Sequence, residues 1–439
     1  MIKEAQSIFI VGIKGVAMAN LAVILKKMGK QVKGSDVAEE FITDKLLRKN
    51  NIAVSIGFEP KNLPQELDLL VYSASHGGDD NPLVLEAKTR QTRVISQAKL
   101  LGELMLGFKH KIAVCGSHGK TTTASLLAYA LIQLGAKPSY LVGSSSFNNY
   151  PGGDYNSTEY FVVEADEYGV NPPKDKIPKF SFLNPDIIIC TNIDFDHPDI
   201  YDDLEQVKEA FADFFSKGKK IISCQNNPDF KIANILIGEK GTLFELIYQN
   251  KNLGQFTLSL FGEKNAWNAA GVIVTLLELG YDIRGIKKAI AGFKGAKRRF
   301  EQKFYGNDVY LFDDYAHHPA EIAATIQAAQ QRFPKRRIVI IFQPHTYSRT
   351  QVLLDDFRSA LKQADLVVLL APIFPSAREN PDNFTISSAD IIKEDAYPSK
   401  EALLAKLAKK LRKEDVVFTM GAGDIYKLDR DIIELIRKL

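Results

Sequence analysis

Cysteine is scarce in this chain of 439 residues, occurring only as Cys115, Cys190 and Cys224. An odd, widely spaced set without metal-ligand spacing excludes a disulfide framework and fits a reducing compartment. An excess of one charge is also missing. The 56 basic against 53 acidic residues leave a formal net charge of +3, whereas a dedicated nucleic-acid binder carries a marked basic excess or stripe. No apolar run is long enough to span a bilayer, and no leader-like segment precedes the strand-like Ile8-Phe9-Ile10-Val11. Low-complexity tracts and short-period repeats are absent too. These absences predict a cytoplasmic globular protein with no nucleic-acid partner and no membrane insertion. Monomer and homodimer both stay open.

What is present is an α/β rhythm, repeated three times. The length calls for two to four domains. Residues 1–106 alternate strand-like runs (Ile8–Val11, Val32, Leu69–Tyr72, Val94–Ile95) with helical patterns such as Gly15–Met28. That is the signature of a parallel, doubly wound sheet. Residues 107–295 restart it with the strand Ile112–Cys115, a helix through Leu134, and strands at Tyr160–Val163 and Ile187–Thr191. Their later part reads as β-rich (Lys220–Cys224, Thr242–Ile247, Gln255–Leu260) before the helix Ala266–Leu279. The glycine-rich Gly292-Phe293-Lys294-Gly295 reads as a hinge. Residues 296–439 bring a third set of strands at Tyr310–Phe312, Arg337–Phe342, Leu366–Leu370 and Val416–Met420. The expected architecture is three consecutive α/β domains: a Rossmann-like parallel sheet, a P-loop ATPase-type domain, and a second Rossmann-like domain.

The chemistry starts at Gly116-Ser117-His118-Gly119-Lys120-Thr121. The loop follows a buried-strand pattern and opens a helix, the context a phosphate-binding loop requires. Its glycines let backbone N–H groups converge on phosphate oxygens, Lys120 neutralises charge, and the Thr121 hydroxyl suits Mg²⁺, with Thr122 and Thr123 behind it. The loop is expected to face solvent. Val114 stands where the full Walker pattern has its first glycine, so a helix cap with a surface lysine is the blander alternative. Strand before and helix after favour phosphate. Two further strand-like runs end in polar clusters, Glu164-Ala165-Asp166-Glu167 and Thr191-Asn192-Ile193-Asp194-Phe195-Asp196-His197. Open α/β sheets place ligands at such strand ends, so Thr121, Glu164 and His197 become candidate metal ligands beside a transferring phosphate.

These residues, with Asn265–Asn268, Arg298-Arg299-Phe300, Asp313–Pro319 and Phe342–Thr350, resemble the Mur ligase family over nearly the whole chain. The resemblance implies an ATP- and Mg²⁺-dependent enzyme that forms a peptide bond on a UDP-linked muramate during peptidoglycan synthesis. The motifs of residues 313–319, 342–350 and 420–425 resemble the branch that joins L-alanine to UDP-N-acetylmuramate. By the same resemblance Gly12, Gly15, Asp36 and Ser73 contact the UDP sugar. Gly116–Thr122 hold the triphosphate, Asn265 and Asn268 the adenine, Asp314 the ribose, and Arg299 the γ-phosphate. Tyr315, His317, His345 and Arg349 handle the muramoyl carboxylate and the incoming amino acid. Lys120, His197, Arg299, His317, His345 and Arg349 carry catalysis.

Three features depart from the pattern. Ala17 stands where the family's first loop carries a further glycine, and Lys264 where relatives place a histidine. The stretch Tyr168–Pro185 is longer than in many alanine ligases and is similar to a related branch that adds L-Ala-γ-D-Glu-diaminopimelate to UDP-N-acetylmuramate. Outside the family, Gly12-x-x-Gly15 alone would read as a dinucleotide-binding dehydrogenase, which leaves the phosphate loop unexplained. A non-catalytic nucleotide switch would explain the loop but not the histidines and arginine of the last segment.

Overall fold

The computed structural model describes residues 2–225, 227, 229–363, 367–375 and 379–439, with the backbone alone for 367–369. Three sheets organise it. The first is fully parallel, in the order Ala53–Ile56, Gln31–Asp36, Ser7–Val11, Leu69–Tyr72 and Arg93–Ser96. Its central strands Ser7–Val11 and Leu69–Tyr72 read as apolar runs because they are covered on both faces, while the strands outside them carry polar residues. The helix Val16–Lys27 buries eight consecutive residues from Met18 to Leu25, which shows that it is wedged between two bodies. Its outer side meets the second sheet: Asn20 Nδ2 donates to the carbonyls of Val142 (3.0 Å) and Ser144 (2.9 Å).

That second sheet runs Lys220–Ser223, Ile187–Cys190, His110–Cys115, Tyr160–Glu164, Ser139–Phe147 and Tyr150–Asp154, with only the last pair antiparallel. Both strands expected to flank the phosphate loop are hydrogen-bonded to His110–Cys115. Cys115 and Cys190, distant in sequence, are direct partners across this pairing. The β-rich stretch forms a separate antiparallel sheet of Phe230–Gly238, Gly241–Tyr248 and Lys251–Leu258. Part of the long segment after Glu167 folds as the hairpin Gly169–Asn171 and Asp175–Pro178. It reaches the first domain, where Asn171 Nδ2 donates to Asp79 Oδ1 at 2.7 Å.

The third sheet is Glu301–Gly306, Val309–Asp314, Asp415–Met420, Arg337–Phe342 and Val367–Leu370. Leu366, read as the start of the last of these, lies outside the described residues. The edge strand Glu301–Gly306 is antiparallel to its neighbour, a departure from an all-parallel reading. Asn307 (φ 48°) and Asp308 (φ 60°) form the turn, the left-handed pair that a tight hairpin demands. The entry to this domain carries positive φ at Gly295, Arg298 and Phe300, while Phe293 is fully buried. Among the described residues no helix is long and apolar enough to cross a membrane.

One buried acid in this domain has a testable consequence. Asp429 opens the helix Asp429–Arg437 and accepts from the Thr419 hydroxyl at 2.8 Å. Burial, then the charge of Asp313, pushes its carboxyl from 3.8 up to about 7. Between those values the folded chain holds a proton that the unfolded chain has lost, so stability falls as pH rises, by roughly 1.4 kcal/mol per unit. Asp429→Asn keeps the acceptor oxygen and removes the titration. Its melting temperature should match the parent near pH 4 and exceed it increasingly up to pH 7. A constant offset in melting scans across that range would refute the account.

Candidate active site

The phosphate loop joins the strand His110–Cys115 to the helix Lys120–Gln133. Gly116 sits at φ 130° with a Cβ position 2.0 Å from Thr191 Oγ1, and Gly119 at φ 83° with one 2.7 Å from Asn268 Nδ2. Gly116 has no space for a side chain, and at Gly119 the left-handed backbone strains any other residue. The neighbouring strand end clamps the loop. Asn192 Oδ1 accepts from His118 N–H (3.0 Å) while its Nδ2 donates to the His118 carbonyl (3.0 Å). The Ser117 hydroxyl donates to the Asp194 carbonyl at 2.9 Å. Thr191–Asp194, read from sequence as flanking a metal ligand, therefore also shapes the loop.

The expectation that the loop faces solvent is not met. Lys120 is only 13 % exposed, and its ammonium donates to the Gly116 and Ser117 carbonyls (2.6 and 3.1 Å) and to both oxygens of Glu167 (2.9 and 2.8 Å). Burial alone would lower its basicity, but Glu167, Asp166 and Glu164 outweigh that and raise it. Lys120 is therefore charged before any phosphate arrives.

The carboxylates divide between two places. Glu164, at the end of Tyr160–Glu164, accepts from the Thr121 hydroxyl (3.1 Å) and from Gly143 N–H (2.7 Å). Burial pushes its carboxyl up, with Lys120 and Arg299 opposing. His197 lies instead with Glu167, its Nε2 3.5 Å from Oε1. Ligand atoms of Asp166, Glu167 and His197 fall within 4.8 Å of one another. The candidate trio Thr121, Glu164 and His197 thus splits into a Thr121–Glu164 pair and a cluster of His197 with two acids that the sequence reading left without a role. All five line one cavity of about 530 Å³. Oxygen donors with one imidazole suit a hard divalent cation, so the donor set fits Mg²⁺.

The third domain supplies the opposite wall of that cavity, with Tyr315, His317, His345 and Arg349. Arg349 is 5 % exposed, and its Nε donates to Asp196 Oδ1 at 2.8 Å, one residue before His197. Burial opposes ionisation of Asp196, but Arg349 and the nearby histidines hold it well below the usual carboxylate range. Arg299 Nη2 donates to Thr121 Oγ1 at 3.3 Å. Behind it, Arg298 pairs with Asp313 at 3.1 Å and donates to the Gly421 carbonyl at 2.7 Å, anchoring the hinge. Burial, then Arg349, brings His317 down to about 3. His318 caps the helix Pro319–Arg332 and packs on His118, ring centroids 4.5 Å apart.

A second cavity, of about 1020 Å³, lies on the other side of the loop and is lined by Thr122, Lys264, Asn265, Asn268 and Asp314. Asp314 accepts from the N–H groups of Phe300 and Ala316 at 2.9 and 2.8 Å, and burial pushes it up to about 6. Lys264, at the departure from the family pattern, donates to the Ala320 carbonyl at 3.2 Å and so crosses to the third domain. Gly119, Arg299 and Glu321 line both cavities. The UDP-side candidates form their own group at the first sheet. Asp36 accepts from Lys14 N–H at 2.6 Å, and Gly12 (φ 73°) lies against Ser73 and His76, beside the Gly15 turn. Their neighbours Ala17 and Ser75 line the smaller cavity.

Three family models match in chain order. Residues 7–109 match the Mur ligase family, catalytic domain; residues 114–227 the Mur ligase middle domain; residues 298–423 the Mur ligase, glutamate ligase domain. The UDP-N-acetylmuramate–L-alanine ligase of Pediococcus pentosaceus is 38% identical, over 96% of this chain and 97% of its own. That of Lactiplantibacillus plantarum is 36% identical, over 97% and 98%. The solved UDP-N-acetylmuramate–alanine ligase of Thermotoga maritima superposes with TM-score 0.81 at 25% identity, over 98% of this chain and 99% of its own. A murein peptide ligase from Psychrobacter arcticus shares the fold with TM-score 0.75 at 24% identity, over 99% of both chains. The chain belongs to the Mur ligase family.

Proposed function

We propose that this protein is an ATP-dependent ligase that joins L-alanine to the lactyl carboxylate of UDP-N-acetylmuramate, an early step in building peptidoglycan precursors in the cytoplasm. The observation that carries it is the meeting of two cavities at Gly119 and Arg299. One has the polar lining for a nucleotide, and the other gathers Lys120, the Asp166–Glu167–His197 cluster and the third domain's histidines. Residues 1–106 would hold the UDP sugar, 107–295 ATP, and 296–439 the amino acid.

In the reaction a lactyl carboxylate oxygen attacks the γ-phosphorus and ADP leaves, giving an acyl phosphate. The alanine nitrogen then attacks the acyl carbon and inorganic phosphate leaves. Both steps gather negative charge on oxygens, which Lys120 and Arg299 would stabilise. Thr121, Glu164, Asp166, Glu167 and His197 would hold Mg²⁺, which would supply further charge neutralisation at the transferring phosphoryl group. Enclosure by the third domain limits water at the acyl phosphate.

Phosphate release should require UDP-N-acetylmuramate and L-alanine together, and chelation of divalent cations should abolish it. A panel of L-alanine, glycine, L-serine and L-Ala-γ-D-Glu-diaminopimelate sets the acceptor. Release independent of both substrates would end the ligase reading, and preference for the tripeptide would move the chain to the recycling branch.

A further inference from the structure

Glu321 stands in the wall between the two cavities, 12 % exposed, on the first turn of the helix Pro319–Arg332. Its two oxygens face different ways. Oε1 lies 3.6 Å from His118 Nδ1 and 3.5 Å from Arg299 Nη1. Oε2 lies 3.2 Å from His317 Nδ1 and accepts from His317 N–H at 3.2 Å. The same Nδ1 is 3.0 Å from the Tyr315 carbonyl. The Tyr315 carbonyl can only accept, so Nδ1 must carry the proton, and the Glu321 carboxylate beside it adds an electrostatic preference for that tautomer.

We infer that Glu321 is a positioning residue that fixes His317 as the Nδ1–H tautomer and leaves Nε2 as the atom that accepts the proton from the incoming amine. The inference rests on the ligase reading for the identity of that amine. Among the described residues nothing bonds Nε2, while the ring itself lines the acceptor cavity. Burial and Arg349 also keep the imidazole neutral at pH 7. A ring of such low basicity does not strip a free ammonium. It takes the proton once the nitrogen–carbon bond forms, when the nitrogen has become far more acidic. The amine therefore enters as the free base, its ammonium proton already lost to water; the N–C bond forms, the C–O bond to phosphate breaks with its electron pair leaving on phosphate, and the remaining excess proton on nitrogen passes to Nε2.

Glu321 also serves as an acidic residue in a helix first turn, which is favourable in any protein. A purely structural role predicts no effect on the imidazole, so the test reads the ring directly. Full-length protein labelled with ¹⁵N in its histidine rings, with His317→Asn to assign the signal, should show a pyrrole-type Nδ1 and a pyridine-type Nε2 without any substrate. In Glu321→Ala the Tyr315 carbonyl is the acceptor left at Nδ1, so the pair should shift part of the way toward exchange-averaged values, and kcat should fall on the order of 10²-fold with KM for UDP-N-acetylmuramate within about 3-fold. Glu321→Gln, whose side-chain carbonyl can still accept from His317 N–H and face Nδ1, should restore the tautomer and most of kcat. A protonated Nε2 in the parent, or a wild-type ring signature in Glu321→Ala, overturns the inference. If Glu321→Ala does not fold, Glu321→Met, which fills the same space without a carboxylate beside Nδ1, takes its place with the same two outcomes. Because the spectra need no turnover, a wrong substrate assignment leaves this result readable.

Discussion

Lys120→Ala should lower ligase turnover by at least about 10³-fold, the scale of losing one preorganised cation at a transferring phosphoryl group. A second effect comes from the partner it leaves behind. Glu167 is 2 % exposed and loses the ammonium that meets both its oxygens. Removing one member of a buried ion pair typically costs about 3–5 kcal/mol, so the variant should also melt earlier. Adding Glu167→Gln separates the two effects. The double variant should regain much of the stability and none of the activity, read by denaturant melts and by ADP release. If the double variant recovers turnover, Lys120 acts only by neutralising Glu167 and the loop's assignment to phosphate fails.

Arg349→Ala should have the next largest effect. The side chain ties the third domain to the loop carrying His197 through Asp196, both partners 5 % exposed. Loss of the pair should loosen that domain, with a cost on the order of 3–5 kcal/mol and a fall in kcat/KM for L-alanine of about 10²–10³-fold. Nucleotide affinity should stay within a few-fold, because no residue of this pair lines the larger cavity. The pH dependence has a definite sign. Asp196 is held below its ordinary 3.8 in the fold, so the stability it confers is present above that value and lost as pH falls below it. The stability gap between parent and Arg349→Ala should therefore narrow in acid. Equal loss of ATP affinity, measured by titration with a non-hydrolysable analogue, would place Arg349 on the nucleotide instead.

Local features were legible in the sequence where their causes are local. A buried strand, two glycines with positive φ, and a helix starting at Lys120 all lie within one short stretch. Leu69–Tyr72 and Arg337–Phe342 have the bounds their apolar runs indicate. The edge hairpin Glu301–Asp314 turns at Asn307-Asp308, a pair that a reading for parallel rhythm passes over. Partner choice was not legible. Glu164 and Glu167 follow the same strand, but past its end the alternation of faces stops, so spacing does not say which acid meets His197. Arg349 and Asp196 are separated by 153 residues, and no periodicity links them. Glu321 lies four positions after His317, which would signal a shared helix face, yet the helix begins only at Pro319. The loop's burial was missed for the same reason: its cover comes from Glu167 and Asn192, distant in sequence, and from Arg299 and His318 of the third domain.

The wall shared by the two cavities has a consequence for inhibition. A single compound carrying an adenine-like group in the larger chamber and an amino-acid mimic in the smaller would cross at Gly119 and Arg299. Joining the two halves makes the second binding event intramolecular. At that crossing the target has little room for escape. Gly119 sits at φ 83°, where any other residue is strained, and under the proposed function Arg299 would be the cation that such a compound and the triphosphate both need.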